Sequence, residues 1–275
     1  MSLTSLLQTS EVRRRFREEF EKPTMEASPD SVAPPISDRP AHVGTAFDYL
    51  LRFLLRSLNP ETVKDRRWVA EAAVQLLSAD DQEIALDTVD SAKAARDTFV
   101  DSGTLGRDVL EAVLQLAHLD VVVRTRSGGE VGLPTSDPVS EPDLEDVRQL
   151  YEVIPQDQFR TESHCFLNPT FGKASALVGG ADADLVLDDT LIDVKTVKEA
   201  SFTRDTFNQL LGYYTLHVIG GVGGLDPKPE INRVGVYFSR HAHLHVLDLA
   251  AVIDRSTYPD FVEWFALRAM GQHLE

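Results

Sequence analysis

Asp184, Asp193 and Lys195 are the residues of this chain whose types and spacing can do chemistry together. They lie in Gly179-Gly180-Ala181-Asp182-Ala183-Asp184-Leu185-Val186-Leu187-Asp188-Asp189-Thr190-Leu191-Ile192-Asp193-Val194-Lys195-Thr196, two short apolar runs joined by an acidic turn. That pattern predicts a β-hairpin. Asp184 opens its first strand. Asp193 and Lys195 stand two apart on the second, and strand alternation sends side chains two apart to one face. The hairpin brings that face beside Asp184, so two carboxylates and one ammonium group converge at the sheet. Such a set can hold a hard divalent cation, which prefers oxygen donors and keeps several waters, and can place a water for attack. Asp182 falls on the same face one step further out. Asp188 and Asp189 are turn residues by type and position.

A helix must lie against that hairpin for the site to close. Asp205 to Leu216 (DTFNQLLGYYTL) has helical apolar spacing. Within it Gln209 and Tyr213, four apart, share one helix face. Together, Asp184…Asp193-Val194-Lys195 and Gln209-x-x-x-Tyr213 resemble the PD-(D/E)XK nuclease superfamily, and within it the RecB-like branch marked by a QxxxY helix after the D-x-K strand. Ala183 stands where the family has its proline. The resemblance covers residues 158–247 well and the N-terminal part loosely.

The resemblance implies an α/β fold, a restriction-endonuclease-like mixed central β-sheet flanked by helices with an N-terminal helical layer. It implies hydrolysis of DNA phosphodiester bonds with Mg²⁺ or Mn²⁺, in an exonuclease-like mode. Asp184, Asp193 and the main-chain carbonyl of Val194 would be the metal ligands, and Lys195 the group that orients the attacking water. Gln209 and Tyr213 would bind substrate, with Asp182 supporting the ligands from behind. RecB-like nucleases also carry a G-T-x-x-H helix whose His completes the metal shell. Here Gly44-Thr45-Ala46-Phe47-Asp48 puts Asp48 in that place. Asp48 is either a further oxygen ligand or a solvated residue favoured by the dipole of a helix start. Glu111, on an apolar helix expected over 104–119, is the alternative ligand.

Composition sets the bounds. A chain of 275 residues can bury a full core. No apolar run is long enough to span a bilayer, and the N-terminus lacks the basic-then-apolar order of a signal peptide, so a cytoplasmic protein without a membrane partner is expected. The single Cys165 excludes an internal disulfide and also the four-cysteine iron–sulfur cluster of some RecB-like relatives; a small apolar filler on a strand is its expected role. The net charge of −17 opposes nucleic-acid binding, because phosphate neutralisation usually supplies much of the affinity. Lys173, Lys195, Lys198 and Arg204 around the motifs soften that objection. A protein partner that delivers the substrate is the other expectation, and a noncatalytic nuclease-fold module the alternative function.

Three regions are expected: a charged helix and Pro-rich linker over 1–43, a helical layer over 44–126, and the nuclease core over 127–275. Residues 10–22 read as an amphipathic helix with Phe16 and Phe20 on one side, 23–41 as a linker without fixed structure, and Gly44 as a helix start. Residues 127–142 read as loop, Phe159 to Leu167 as the first core strand, and 233–239 with 244–249 as a strand pair. The Ile219 to Gly224 glycines read as a flexible loop, since they follow a helix rather than a strand. His241, His243 and His245 alternate and could face one way, but a hairpin turn accounts for them without metal. Tyr258 to Met270 reads as a helix burying Phe261, Trp264 and Phe265, and Leu274-Glu275 as a cloning remnant.

Overall fold

A computed structural model describes residues 2–25, 28–64, 67–124, 139–223 and 228–271. Most of the loop expected over 127–142, Gly224 and the final dipeptide fall outside them. The chain opens with α1 (Leu3–Leu7) and α2 (Ser10–Glu19), crosses to α3 (Pro40–Leu58) and touches a sheet edge as β1 (Val63–Lys64). A helical run follows: α4 (Val69–Val74), α5 (Ala79–Ser102), α6 (Arg107–Arg124) and α7 (Glu141–Glu152). Next come β2 (Cys165–Leu167), α8 (Lys173–Leu177), β3 (Leu185–Leu187) and β4 (Thr190–Lys195). The chain ends with α9 (Arg204–Gly220), β5 (Arg233–Phe238), β6 (His243–Asp248), α10 (Leu249–Val252) and α11 (Tyr258–Gly271).

This is an α/β architecture. Among the described residues one six-stranded sheet runs β1-β2-β3-β4-β5-β6. The β1/β2 and β4/β5 pairs are parallel and the other neighbours antiparallel. Period-two alternation divides its side chains between two cores. Cys165, Leu185, Ile192 and Tyr237 face the layer of α3 to α7, against residues such as Phe47, Leu51, Val113 and Leu116. Val186, Leu191, Val234 and Val236 face α9, α11 and the N-terminal α1 and α2, against Phe16, Phe207, Leu211 and Phe261. Asp193 and Lys195 share the parity of Leu191, and so face α9. Among the described residues no helix is long and apolar enough to cross a membrane.

Several expectations need correction. The segment expected as an unstructured linker is tied down over residues 28–39. The N–H groups of Val32 and Ala33 donate to the Arg240 carbonyl, and those of Ile36 and Ser37 to the Asp146 carboxylate. Asp146 is itself fully buried and paired with buried Arg240 at 2.7 Å. The helix expected from Gly44 starts a turn earlier, at Pro40, a residue suited to a first helical position. Val63–Lys64, expected within a helical layer, adds a parallel edge strand. The strand expected from Phe159 forms only over Cys165–Leu167. Upstream, a short 3₁₀ turn covers Gln156–Phe159, the Thr161 N–H goes to the Asn59 side chain and the N–H groups of residues 162–164 go to Asp188. With those donors taken, no ladder extends backwards. Gly220 still belongs to α9, and the loop that follows begins with buried Val222 after Gly221.

Candidate active site

The hairpin β3–β4 closes through a two-residue turn, Asp188-Asp189, with Leu187 paired to Thr190. Asp188 adopts φ +50°, a left-handed conformation that Asp tolerates better than most residues. Asp189 accepts from Arg233 at 2.5 Å. Both turn acids are therefore occupied in holding the loop. From there the register runs Val186 to Leu191 and Leu185 to Ile192. Asp184 lies one residue before the paired stretch, with the parity of Val186, and the Asp193 charge reaches it.

At that step the backbone ladder gives way to a side chain. The Asp184 carboxylate accepts the Val194 N–H at 2.6 Å. Asp193 is buried, at 2 % exposure, whereas Asp184 keeps an edge toward solvent. Lys195 Nζ lies 2.8 Å from Asp193 Oδ2. That contact is a close ion pair, and it occupies Asp193 Oδ2. Lys195 also donates to Gln209 Oε1 at 3.1 Å, and Gln209 Nε2 donates to the Tyr213 hydroxyl at 3.0 Å. Lys195, Gln209 and Tyr213 thus form one path from β4 onto α9, whose start is capped by the Thr203 hydroxyl. Tyr213 stacks on Phe171 and is buried.

The electrostatics follow from burial. Loss of water, then the charges of Asp193 and Asp48, push the Asp184 carboxyl well above the usual carboxylate range, against the pull of the Val194 N–H and Lys195. Burial also raises Asp193, with Lys195 opposing. Tyr213 is raised by burial and by Asp193 and Asp184, so its phenol stays protonated. Because it accepts from Gln209, its own proton remains for another acceptor.

The structure therefore brings Asp184, Asp193, Lys195, Gln209 and Tyr213 together at one end of the sheet. Asp48 joins the edge of this group: its charge reaches Asp184, and Gly44, one turn earlier on α3, abuts Thr196 just after β4. Asp182 is exposed, bridged to Thr170, and its charge reaches Tyr213. Glu111 sits elsewhere, its carboxylate held by Arg107 at 2.7 Å on the outer side of α6. Arg204 contacts the Phe20 carbonyl and the Phe207 ring. His241 lies in a 3₁₀ turn while His243 and His245 lie on β6, so the three do not share a strand face.

Two residues escaped sequence reasoning. Arg52, buried at 3 % exposure, grips Asp48 at 2.6 Å and lies over the Tyr49 ring. The four-residue spacing of Asp48 and Arg52 was the available signal. Asn208, beside Gln209, is buried with its amide oxygen unpartnered. Its signal was a polar residue interrupting the apolar face of α9.

Among the described residues no three His, Cys, Asp or Glu side chains form a ready-made ion cage. The donor set nonetheless suits a hard cation. Two neighbouring carboxylates whose pKa values burial raises even with Lys195 beside them are stabilised by further positive charge, and the Val194 carbonyl supplies a neutral oxygen on the same strand. Comparison of the chain with protein-family models, with curated proteins and with solved structures gives no match.

Proposed function

We propose that this end of the sheet is the centre of a nuclease of restriction-endonuclease-like fold, hydrolysing DNA phosphodiester bonds with Mg²⁺ or Mn²⁺ in an exonuclease-like mode. The observation that carries the proposal is the convergence of Asp184, bonded to the Val194 N–H, on Asp193, with Lys195 held against both Asp193 and the Gln209–Tyr213 helix. When bound, the ion polarises a phosphoryl oxygen and lowers the pKa of a water.

The chain's own residues do the rest. Asp184 and Asp193, with the Val194 carbonyl, hold the ion, and Asp48 adds negative charge from α3. The Lys195 ammonium is placed to stabilise charge that develops on the phosphate and to orient the attacking water. Gln209 fixes the ammonium and Tyr213 fixes Gln209, so no reorganisation is needed as the reaction proceeds. The free Tyr213 proton is a donor for a phosphate oxygen.

The test uses linear, circular and single-stranded DNA, and RNA, with Mg²⁺, Mn²⁺ or EDTA. Cleavage that needs metal, prefers linear DNA and disappears in Lys195→Ala and Asp193→Ala supports the proposal. Binding without cleavage in every metal replaces it with a noncatalytic module for nucleic acid or a protein partner.

A further inference from the structure

A cavity of about 210 Å³ lies between α1 and the first turns of α9, and Lys195 and Gln209 form part of its wall. Thr4 of α1, Gln8 just after it, and Asp205, Thr206 and Asn208 of α9 complete the polar lining. Asn208 is the informative residue. It is 2 % exposed, its amide oxygen has no hydrogen-bond partner, and it borders the cavity. Buried amides are normally satisfied, because leaving one unpaired costs free energy. An aliphatic side chain of the same size would avoid that cost here.

The roof is fixed as firmly as the floor. Asn208 and Gly212 are four apart and share one face of α9. A Cβ on Gly212 would meet Leu3 and Leu7 at 3.3 Å, so the missing side chain lets α1 lie directly on this face. Gln8 and Arg13 both bond Asp205, at 3.2 and 2.7 Å, and anchor the end of the roof.

We propose that this cavity is a nucleobase subsite, taking one unstacked base of the nucleotide whose phosphate sits at Asp184, Asp193 and Lys195. The proposal rests on the nuclease function above for the phosphate position. Size fits: pockets for drug-sized ligands run about 300–1,000 Å³, and this one suits a single ring system. Chemistry fits too. A primary amide carries one acceptor and one donor side by side, the pair with which Asn reads adenine, and a rotation of the Asn208 amide, whose oxygen is enclosed in the empty site, would present both to a base. Position fits as well, since Lys195 faces both the cavity and the acids, placing base and phosphate within one nucleotide's reach.

Calorimetric titration of the full chain in Mg²⁺ tests this, using dAMP, dCMP, dGMP and dTMP against baseless 2-deoxyribose 5-phosphate. The expected result is at least tenfold tighter binding of the base-bearing ligands, dAMP first. That ratio should collapse toward one in Asn208→Leu and in Thr4→Trp, which fills the cavity from the opposite wall. Equal affinity of the base-bearing and baseless ligands for the unaltered chain, or a ratio unchanged in both variants, overturns the subsite. The two proposals fail separately. Metal-dependent cleavage without base preference removes the subsite alone, and base preference without cleavage removes the nuclease alone.

Discussion

Asp184→Asn should make the metal-free protein more stable while destroying its response to metal. The asparagine keeps an oxygen for the Val194 N–H, bonded at 2.6 Å in the native chain, and removes one negative charge from beside Asp193. Neighbouring side chains on one face of an antiparallel pair stand about 5 Å apart. At that distance, two carboxylates in an effective dielectric of about 20 repel by roughly 3 kcal/mol. Lys195 returns part of this through its 2.8 Å contact with Asp193. A net gain of about 1–3 kcal/mol at pH 8 remains, or roughly 2–12 °C in Tm for a chain of this size.

The sign with pH follows from linkage. An acid whose native pKa is raised binds more protons folded than unfolded, so wild-type stability falls as pH climbs from the unfolded value near 4 to the native one. The advantage of the variant therefore grows as pH rises toward the native value and is gone below about pH 4. Scanning fluorimetry in EDTA and then in Mn²⁺ reads both effects. An ion at a hundred times its dissociation constant adds about 2.7 kcal/mol to the wild type and should add little to the variant. A variant less stable than wild type at pH 8 in EDTA, or equally stabilised by Mn²⁺, refutes the reasoning.

Four further outcomes are expected. The Mn²⁺-induced rise in wild-type Tm should shrink between pH 8 and pH 5, because protons compete for the raised Asp184 and Asp193; an equal rise at both pH values contradicts this. Lys195→Met should lose DNA cleavage in a gel assay yet keep the Mn²⁺ stabilisation, and loss of both would make Lys195 a structural part of the ion site. Asn208→Leu should raise stability in urea unfolding by about 1–3 kcal/mol, since an unpaired buried amide is removed; a loss of stability would mean the amide is satisfied in solution. Asp146→Ala should cost about 3–5 kcal/mol in the same assay, because it strands buried Arg240 and two backbone donors, and a change below about 1 kcal/mol would show that the pair holds nothing.

Much of this centre was legible from short-range pattern. The hairpin is written in alternation, with Leu185 and Ile192 on one face and Leu191 and Asp193 on the other, and the Gln209/Tyr213 helix in four-residue spacing. What stayed hidden depends on partners far away in the chain. Residues 28–39 have linker composition, yet their donors end on Asp146 and on the Arg240 carbonyl, more than a hundred residues on. The first core strand is cut short by Asn59 and Asp188, side chains that no local window around Phe159 contains. Asn208 reads only as a polar break in the apolar face of α9 until α1 is laid beside it. Local order can be read one segment at a time; capping, strapping and roofing need the assembled molecule.

The two-residue turn at Asp188-Asp189 has a consequence for how this hairpin can change length. Each residue pair added symmetrically at the tip extends both strands and leaves Asp184 beside Asp193. A single added residue breaks the parity: if the strands re-pair around it, one acid rotates to the far face, toward the Ile192 core, and the pair is lost. Insertions at this tip are thus quantised. Even steps should preserve the carboxylate pair at almost any length, while odd steps should abolish it unless a bulge absorbs the extra residue.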